Sequence, residues 1–398
     1  MVQVMNAHRR ALVIGGGIAG PTLALFFARA GIEPVVFEAY PRTDDVGGGF
    51  QIAPNGLRVL AELGLADALL AAGHLSGDMA FRNHLGRDIG LVRTAAAGPA
   101  VNVARATVHA VLREELERRG IAVRYQKTLS DLTVPGREVI ASFDDGSTEA
   151  GDFLVGADGV RSRVRAWLLP GASAPRDTEM VSIGGFCARG MAPPSDALDA
   201  RRLTFMVGPK YQFGYSQMND GQWGWWCHAH GETVADRTAL LTMTDADLRA
   251  RMLERYRGWA DPVARLIEAT DASLRTPIYD VPTLPTWHRG PVLLIGDAAH
   301  AMSPAGGQGA SLALEDAMLF AKLAADAARP IEETMARFEQ ARRARCEAMV
   351  AQGYANDRRT LKELGTLGMW TRDHVMMPLF ASFIERGLNK IYTAPLEA

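Results

Sequence analysis

The residues with the clearest chemical meaning are three glycines near the N-terminus. Gly15, Gly17 and Gly20 follow a short apolar run and open an apolar segment with helical spacing. In such a turn the first glycine permits a tight bend, the second lets a pyrophosphate approach the backbone, and the third lets the helix pack against the strand. The helix N-terminus would then present free N–H groups to the phosphates. The spacing predicts a dinucleotide-binding turn.

An acidic residue narrows the nature of that dinucleotide. Glu38 ends the apolar run 34–38, which is the second strand of the predicted βαβ unit. A carboxylate at this place binds the ribose hydroxyls of the adenosine and disfavours a 2′-phosphate. The tightly held ligand is therefore predicted to be FAD or NAD rather than NADP. A glycine-rich turn without a ligand is the alternative, and the strand, the helix and the acid together disfavour it.

A second cluster far along the chain separates FAD from NAD. Asp297 follows Gly296 and the apolar run 292–295, and a glycine-rich stretch at 304–309 precedes a helix that begins at Ser311. An Asp just after a buried strand can accept hydrogen bonds from ribityl hydroxyls. The positive end of a helix suits the N1/O2 edge of an isoalloxazine, where negative charge collects on reduction. An ordinary capped helix is the alternative. Paired with the first turn, this cluster favours FAD.

These clusters require an α/β framework interrupted by another kind of sheet. Strand, turn, helix and strand alternate at the start, and the same character returns after residue 276. Runs at 181–189, 203–207, 212–218 and 222–228 predict antiparallel strands, with a hairpin turn at Asn219-Asp220-Gly221. A further hairpin is predicted from 139–143 and 153–155 around Asp145-Gly146. The fold class is thus α/β, with a discontinuous Rossmann-like FAD-binding domain, an inserted antiparallel substrate sheet and a C-terminal helical tail.

The predicted domain boundaries follow from these elements. The FAD-binding domain is predicted from 1–73, 101–180 and 276–357. The substrate-binding sheet domain is predicted from 74–100 and 181–275, and the C-terminal helix from 358–398. The tail is predicted to pack across the two domains. A membrane-surface helix is the alternative, which its mixed polar face, with Arg372, Asp373, Glu385 and Arg386, disfavours.

Composition excludes several classes of protein. The net charge is −2, so no basic excess indicates nucleic-acid binding. The three scattered cysteines, Cys187, Cys227 and Cys346, give no disulfide framework and no metal-ligand spacing, and they suggest a reducing cytoplasm. No transmembrane segment and no signal peptide are expected from the apolar pattern.

A third motif, 156–162, completes a resemblance to a known family. Asp158-Gly159 with Arg161-Ser162 lies between the two flavin clusters, in the sequence Gly-Ala-Asp-Gly-Val-Arg-Ser. The three motifs in this order closely resemble the single-component FAD-dependent aromatic hydroxylases of the para-hydroxybenzoate hydroxylase-like class. The length resembles the salicylate hydroxylase and tetracycline-inactivating monooxygenase branches. One departure is Ser311, where many members have Asn.

The resemblance implies which residues contact cofactor and substrate. Asp158 and Arg105 would help to hold FAD, Asp297 would bind the ribityl chain, and Pro304 would lie near the reactive edge of the flavin. The predicted cofactor contacts are Gly15, Gly17, Ala19, Gly20, Glu38, Arg42, Gly49, Arg105, Leu129, Asp158, Asp297, Pro304, Gly307, Gly309 and Ala310. The predicted catalytic residues are Pro304, Gly307 and His228. The predicted substrate contacts are Gln51, Phe213, Tyr215, Gln217, Trp225 and His228.

The substrate wall is predicted from strand alternation. Tyr211, Phe213, Tyr215 and Gln217 share one face of their strand, as do Trp223 and Trp225 on the next, while Trp226 and His228 point the other way. Aromatic rings that face a flavin would clamp a flat, conjugated substrate. Simple packing is the alternative, because aromatics are common in half-buried sheets. His228 is a candidate base, with a structural role as its alternative.

The implied activity is a monooxygenase reaction. NADPH or NADH would reduce FAD transiently, and O₂ would then give a C4a-hydroperoxide that hydroxylates an aromatic or polyketide-like molecule. Three alternatives remain open. A flavin-dependent halogenase is one, because Trp223-Gly-Trp225 resembles part of that motif without its Ile-Pro. A dehydrogenase of the same fold and a non-catalytic flavoprotein that sequesters a small molecule are the others. The protein is expected to be a monomer or a homodimer.

Overall fold

The strands and helices were obtained from a computed structural model. It describes residues 9–42, 47–171, 174–187, 195–218, 221–230, 234–360 and 362–396. The strands are β1 Arg10–Ile14, β2 Glu33–Phe37, β3 Gly49–Ile52, β4 His74–Ser76, β5 Asp78–Asn83, β6 Asp88–Val92, β7 Ala100–Ala104, β8 Ala122–Arg124, β9 Leu129–Thr133, β10 Val139–Phe143, β11 Thr148–Gly151, β12 Phe153–Gly156, β13 Arg176–Cys187, β14 Arg202–Val207, β15 Gln212–Gln217, β16 Trp223–His230, β17 Thr270–Asp280, β18 His288–Arg289 and β19 Val292–Leu294.

The helices surround these strands. They are α1 Ala19–Arg29, α2 Pro54–Glu62, α3 Ala66–Ala72, α4 Arg105–Arg118, α5 Arg163–Leu168, α6 Val234–Thr242, α7 Asp245–Arg255, α8 Val263–Glu268, α9 Asp297–His300, α10 Gly309–Ala324, α11 Ile331–Thr360, α12 Thr366–Thr371 and α13 Met377–Thr393. Short 3₁₀ turns occur at Ala95–Ala97 and Pro304–Gly306, and a π-helical turn, Arg372–Met376, joins α12 to α13.

The first sheet carries the glycine turn. Its strand order is β18-β19-β12-β1-β2-β8, and β1 runs parallel to β12 and β2. The strands are continuously apolar because helices cover both faces of such a sheet, and Leu12, Val13, Val36 and Leu154 are fully buried. The carboxyl ends of β1, β12 and β19 meet at one edge. This edge brings the three motifs together, as the predicted α/β class requires.

The hairpin predicted from 139–143 and 153–155 is wrong in its second strand. β10 pairs antiparallel with β11, around the turn at Gly146. β12 instead lies parallel to β1 in the first sheet. The chain turns again at Asp152, whose N–H donates to the carbonyl of Arg10 (2.9 Å). A four-residue strand that is buried on both faces belongs in a parallel sheet rather than at a hairpin edge.

The second large sheet is the predicted antiparallel insertion. Its seven strands have the order β17-β13-β16-β15-β14-β5-β6. β15 and β16 form the predicted antiparallel pair, although Asn219 and Asp220 of its turn lie outside the described residues. β13 and β17 extend to Arg176 and Asp280, so the boundaries predicted at 180/181 and 275/276 fall inside strands. Two smaller sheets, β3-β7-β4 and β11-β10-β9, complete the sheet structure of the described residues.

The two faces of the seven-stranded sheet have different neighbours. One side, the covered face, packs on α7 and α8 in a separate hydrophobic cluster that includes Phe213, Tyr215, Trp225 and Tyr256. The opposite side, the open face, is directed towards β3. A Cβ on Gly49 of β3 would lie 3.1 Å from the ring of Phe186, and a Cβ on Gly224 of β16 would lie 3.2 Å from the same ring. The cleft between the two domains is therefore lined by the open face.

Candidate cofactor and substrate site

The glycine turn has the shape that a dinucleotide needs. A Cβ on Gly15 would lie 2.2 Å from the carbonyl oxygen of Ala157, and one on Gly20 would lie 2.0 Å from that of Gly15. Gly15 also has φ +116°, where side chains are strained. A Cβ on Gly17, by contrast, meets no atom of the described residues within 4 Å. Gly15 and Gly20 are thus closely packed, whereas the space at Gly17, beside the first turn of α1 at Ala19, is open. This arrangement fits an FAD pyrophosphate.

Glu38 lies beside this turn, as predicted. Its Oε2 accepts a hydrogen bond from the Gly16 N–H (2.6 Å), and its Oε1 accepts one from the Tyr40 N–H (2.9 Å). The carboxylate thus sits at the carboxyl end of β2, next to the place where an adenosine ribose would lie. Arg42 is more peripheral: it is exposed, and its guanidinium pairs with Glu117 of α4 (2.9 Å). Glu38 is the better placed of the two to bind the ribose.

The carboxylate of Asp158 accepts hydrogen bonds from neighbouring groups of the protein. One carboxylate oxygen accepts from the Ser162 hydroxyl (2.6 Å), and the other accepts from the N–H groups of Arg163 (2.7 Å) and Val164 (3.2 Å). Burial raises the pKa of this carboxyl, while these donors stabilise its charged form. Asp158 therefore caps α5 and shapes the turn that Gly15 touches through Ala157. Its support of the cofactor is indirect in this geometry.

The second flavin cluster forms at the carboxyl end of β19. Asp297 begins α9 with an exposed side chain, and a Cβ on Gly309 would lie 3.9 Å from its Oδ1. Pro304 opens the 3₁₀ turn, Gly307 follows with φ +64°, and Gly309 and Ala310 form the first turn of α10. Asp297, which is predicted to bind the ribityl chain, therefore lies close to the turn at Pro304 and to the N-terminus of α10. Their amides and carboxylate suit the ribityl chain and the pyrimidine edge of a flavin.

A buried polar network, which the sequence analysis missed, holds this cluster in place. His300 Nε2 lies 2.6 Å from Asp316 Oδ2, the Gly296 N–H donates to the same oxygen (2.9 Å), and Arg342 Nε donates to Oδ1 (2.7 Å). Burial alone would raise the pKa of Asp316, but the charges of His300 and Arg342 outweigh it and lower the pKa to about 2. Burial would lower the pKa of His300, yet Cys346 and Asp316 raise it well above its ordinary value. The ion pair fixes the loop before Asp297 against α10 and α11.

The neighbouring carboxylate extends the network to the start of α2. Glu315 is fully buried and accepts from Arg342 (2.7 Å) and from the Asn55 side-chain amide (2.7 Å). Asn55 also donates to Gln308, the residue before Gly309 (3.1 Å). Ser311, the departure from the family pattern, uses its hydroxyl to accept from the Ala53 N–H (3.3 Å). The start of α2 is thereby joined to the start of α10. Two adjacent acids, Glu315 and Asp316, inside the otherwise apolar run 312–321 were the available sequence signal.

The cluster of His300, Asp316 and Cys346 also has the residue types of a metal site. Their ligand atoms all lie within 4.8 Å of one another and are buried. Both oxygens of Asp316 are already engaged, one with His300 and Gly296 and the other with Arg342. A cation would have to displace the guanidinium or the imidazole. The donor set therefore fits an ion-pair network better than a metal centre.

The strand β3 contributes the third side of the cleft. The Arg105 guanidinium lies 5.6 Å above the Phe50 ring, and a Cβ on Gly47 would lie 3.1 Å from the Arg105 side chain. Gln51 donates to Asn102 (3.3 Å), whose amide donates to the Gln217 carbonyl (3.2 Å). Through Asn102, the Gln51 side chain is therefore linked to the backbone of β15 at Gln217, and the predicted substrate contact of Gln51 stays a prediction. Leu129 is buried, and its carbonyl accepts from Arg163 (2.6 Å).

The predicted substrate wall lies on the wrong face of the sheet. Phe213 and Tyr215 have no exposed surface and Trp225 is 3% exposed, because all three pack in the covered cluster. Phe213 and Trp225 stack there with ring centroids 5.2 Å apart. Alternation identified the two sets of residues, but the helices that cover one set follow later in the chain. Phe213, Tyr215 and Trp225 are therefore core residues, and the side chain of Gln217 belongs to the same side of β15.

The aromatic side chains of the open face are Trp226, Phe205 and Phe81. They lie in register on β16, β14 and β5, and each is partly exposed. Trp226 lies flat over Gly214, where a Cβ would approach its ring to 2.3 Å. Its ring meets Phe205 edge-on at 5.9 Å, and Phe205 stacks on Phe81 at 5.5 Å. This row forms a continuous apolar surface on the open face, with the Trp226 ring roughly perpendicular to that of Phe205.

His228 lies on the open face with Trp226. Its Nδ1 is 3.5 Å from the Asp357 carboxylate of α11. One residue earlier, Asn356 donates to the Ala305 carbonyl (3.3 Å), and Gly353 packs against Gly306. The same helix therefore contacts His228 and the turn that starts at Pro304. Of the three predicted catalytic residues, Pro304 and Gly307 lie in this turn and His228 lies across the cleft beside it.

The comparisons with known proteins agree with this geometry. The FAD binding domain family model matches residues 9–353. The chain is 33% identical over 380 residues to aurachin C monooxygenase/isomerase of Stigmatella aurantiaca, covering 92% of this chain and 91% of that protein. It is 31% identical over 354 residues to a salicylate hydroxylase of Pseudomonas putida, covering 81% and 78%.

A solved structure extends the likeness to the fold as a whole. Klebsiella pneumoniae HpxO, complexed with FAD and uric acid, superposes with a TM-score of 0.82 at 25% identity and covers 97% of both chains. The match spans both domains and the C-terminal helices. Together with the glycine turn, the Asp297 cluster and the family match, it shows that this chain belongs to the single-component flavoprotein monooxygenases and is an FAD-dependent monooxygenase.

Proposed function

We propose that the protein is an NAD(P)H-dependent hydroxylase of an aromatic or polyketide-like small molecule. FAD, once bound and reduced, would supply the oxygen-transfer chemistry through a C4a-hydroperoxide. The observation that carries the proposal is the aromatic row on the open face. Its rings are partly exposed and lie in register on the same face of the sheet as Phe186, which packs beside Gly49 of β3. A planar substrate would lie against such a wall.

The polar groups of the cleft would orient that substrate. His228 can accept a hydrogen bond or a proton from a phenol-like hydroxyl, and Asp357 lies 3.5 Å away to stabilise the imidazolium. Deprotonation of such a hydroxyl makes the ring more electron-rich, which favours attack on an electrophilic oxygen. The neighbouring Trp226 is apolar and holds the ring plane. His228 is thus proposed as the base and Trp226 as the platform.

The second flavin cluster would stabilise charge and exclude water. The N-terminus of α10, at Gly309 and Ala310, would offer its free amides to the pyrimidine edge of the flavin. The turn at Pro304 is held by α11 through the Asn356 side chain, which donates to the Ala305 carbonyl. A substrate bound against this turn would exclude water from the reactive oxygen. The buried pair of Asp316 with Arg342 holds the loop before Asp297 in position.

A test of the hydroxylase proposal uses the purified FAD-loaded protein. Flavin reduction by NADH and by NADPH is followed by stopped-flow absorbance with a panel of phenols, hydroxyquinolines and polyketide-like aromatics. A true substrate should accelerate reduction, and O₂ uptake should match the hydroxylated product measured by mass spectrometry. Oxidation of the panel without O₂ incorporation would identify a dehydrogenase, and tight binding without turnover would identify a sequestering protein. Either result would overturn the proposal.

A separate test concerns the cofactor contacts. Gly17→Val should prevent FAD binding, because its side chain enters the open space where the pyrophosphate would lie. A Cβ at this position meets no atom of the described residues within 4 Å, so the apoprotein should fold normally by circular dichroism. Asp297→Ala should lower the flavin content without abolishing it. A yellow Gly17→Val protein with full flavin content would contradict these assignments.

The halogenase alternative gains no support from the aromatic cluster. Trp223 and Trp225, which suggested it, are 5% and 3% exposed and belong to the covered cluster. Added chloride or bromide in the product analysis would still reveal halogenated material.

The cytoplasmic location proposed from the cysteines is supported by the free, buried state of all three. The monomer or homodimer remains a prediction.

A further inference from the structure

The outer surface of the C-terminal helices is unusually apolar. Seven large side chains there are between 41% and 78% exposed, and we call them the C-terminal apolar surface: Leu367, Trp370, Val375, Met376, Leu379, Phe380 and Phe383. Single exposed apolar residues are normal, but a cluster of this kind on consecutive helical turns marks an interaction site. The flavin cluster and the cleft do not use these side chains.

The residues of this surface follow one helical stripe. From Met376 the exposed positions advance to Leu379 and Phe383 and then to two cations, Arg386 and Lys390. Steps of three and four residues keep side chains on the same side of a helix. The stripe is therefore apolar at the start of α13 and cationic at its end. Trp370, on α12, extends the apolar part.

The two acidic residues between 365 and 390 are turned inwards. Asp373 is 8% exposed and accepts from Asn83 (2.9 Å) and Arg372 (2.7 Å). Glu385 accepts from the Arg93 N–H (3.0 Å). The mixed polar face that argued in the sequence against a membrane-surface helix is thus used for contacts with the seven-stranded sheet. Between residues 365 and 390 no exposed side chain is acidic.

We propose that the C-terminal apolar surface docks on an anionic lipid bilayer. Aromatic and aliphatic side chains on one stripe with flanking cations are the signature of a helix that lies in the interface plane. Charge favours anionic lipid over a second copy of this chain, because the stripe offers Arg386 and Lys390 no exposed carboxylate in return. None of the described helices is long and apolar enough to cross a membrane, so the contact would be peripheral.

The structure supports docking as a rigid body. On its inner side α13 packs Met377 and Ala381 against Gly90 of β6, on the open face of the sheet. Arg58 and Arg345 bind the carbonyls of Tyr392 and Ile391 at its end. Lipid contact would therefore bring the sheet edge and its cleft close to the bilayer without any rearrangement. The proposal concerns lipid binding and does not depend on which molecule is oxidised.

The test is co-sedimentation of the full-length, FAD-loaded protein with vesicles. We expect binding to vesicles of equal parts phosphatidylcholine and phosphatidylglycerol, and much weaker binding to pure phosphatidylcholine. The double variant Leu379→Ser/Phe383→Ser should weaken partitioning at least about tenfold, because two deeply inserted side chains are lost. Arg386→Gln/Lys390→Gln should weaken it about 20-fold at low salt. Both variants change exposed positions and should keep full flavin content.

Leu75→Ser is the matched control, since Leu75 is 57% exposed on β4 outside the C-terminal helices. It should bind vesicles like the unchanged protein. Equal loss in the control, or absence of binding to both vesicle types, would overturn the proposal. So would concentration-dependent self-association in analytical ultracentrifugation that Leu379→Ser/Phe383→Ser abolishes, because a second copy would then be the occupant.

Discussion

The covered and open faces of the seven-stranded sheet are built from the same residue types, yet they serve different purposes. On the covered face Phe213, Tyr215 and Trp225 are buried by α7 and α8. On the open face Trp226 and Phe205 keep part of their ring surface free. The first set stabilises the domain by burial, and the second set is the proposed substrate wall.

Glycines explain how the open face keeps its shape. Gly184, Gly214 and Gly224 stand beside or beneath the open-face rings, and a Cβ on Gly214 would collide with Trp226. The corresponding positions of the covered face carry large side chains that fill the space up to the helices. Aromatic content alone therefore does not identify a substrate wall. A wall needs rings that keep part of their surface free, as Trp226 does above Gly214.

The largest effect is expected on the covered face. Phe213→Ala should lower the free energy of unfolding by about 3–5 kcal/mol, because it removes a fully buried ring that stacks on Trp225. Urea unfolding followed by circular dichroism measures this change. Phe205→Ala, on the open face, is the matched control and should cost less than half as much. Equal losses would show that the two faces are both core.

A methyl group added beneath Trp226 should disturb only the open face. Gly214→Ala places a methyl group 2.3 Å from the indole ring, so the ring must lift from the sheet at a cost of about 1–3 kcal/mol. The substrate KM should rise, with flavin content unchanged. Gly365→Ala, where a Cβ meets no described atom within 4 Å, provides the neutral comparison. An unchanged KM in Gly214→Ala would argue against a substrate wall at Trp226.

Removal of the indole itself should separate binding from stability. Trp226→Leu should raise the KM about 3- to 10-fold, in line with about 0.5–1.5 kcal/mol for an aromatic stacking contact. The free energy of unfolding should change by less than about 1 kcal/mol because the side chain is only partly buried. Steady-state kinetics and thermal unfolding together check the prediction. Stability loss as large as that of Phe213→Ala would remove the distinction between the faces.

The smallest effect is expected from thiol reagents. Cys187 and Cys227 are buried on the covered face, and burial raises the pKa of both thiols. Since the thiolate is the reactive form, iodoacetamide should not modify either residue in the native protein. After unfolding in urea, mass spectrometry should find both alkylated. Rapid native labelling of Cys227 would show that the covered face opens.

Local motifs in the sequence predicted most of the cofactor site. The requirement for glycine at Gly15 and Gly20 comes from backbone contacts made within the βαβ unit, so the spacing alone reveals it. Asp297 follows a buried strand, and that context is equally local. The network of Asp316, Glu315 and Arg342 was not predicted, because its members are brought together only when α10 and α11 pack.

The sequence by itself determined the α/β class, the order of the flavin motifs and the two alternating sets of aromatics on β15 and β16. Tertiary structure alone decided which set faces the cleft. Alternation has a period of two residues and defines two faces, but it carries no information about what later segments cover each face. The helices α7 and α8 cover the side of Phe213, and the cleft is left to Trp226 and His228.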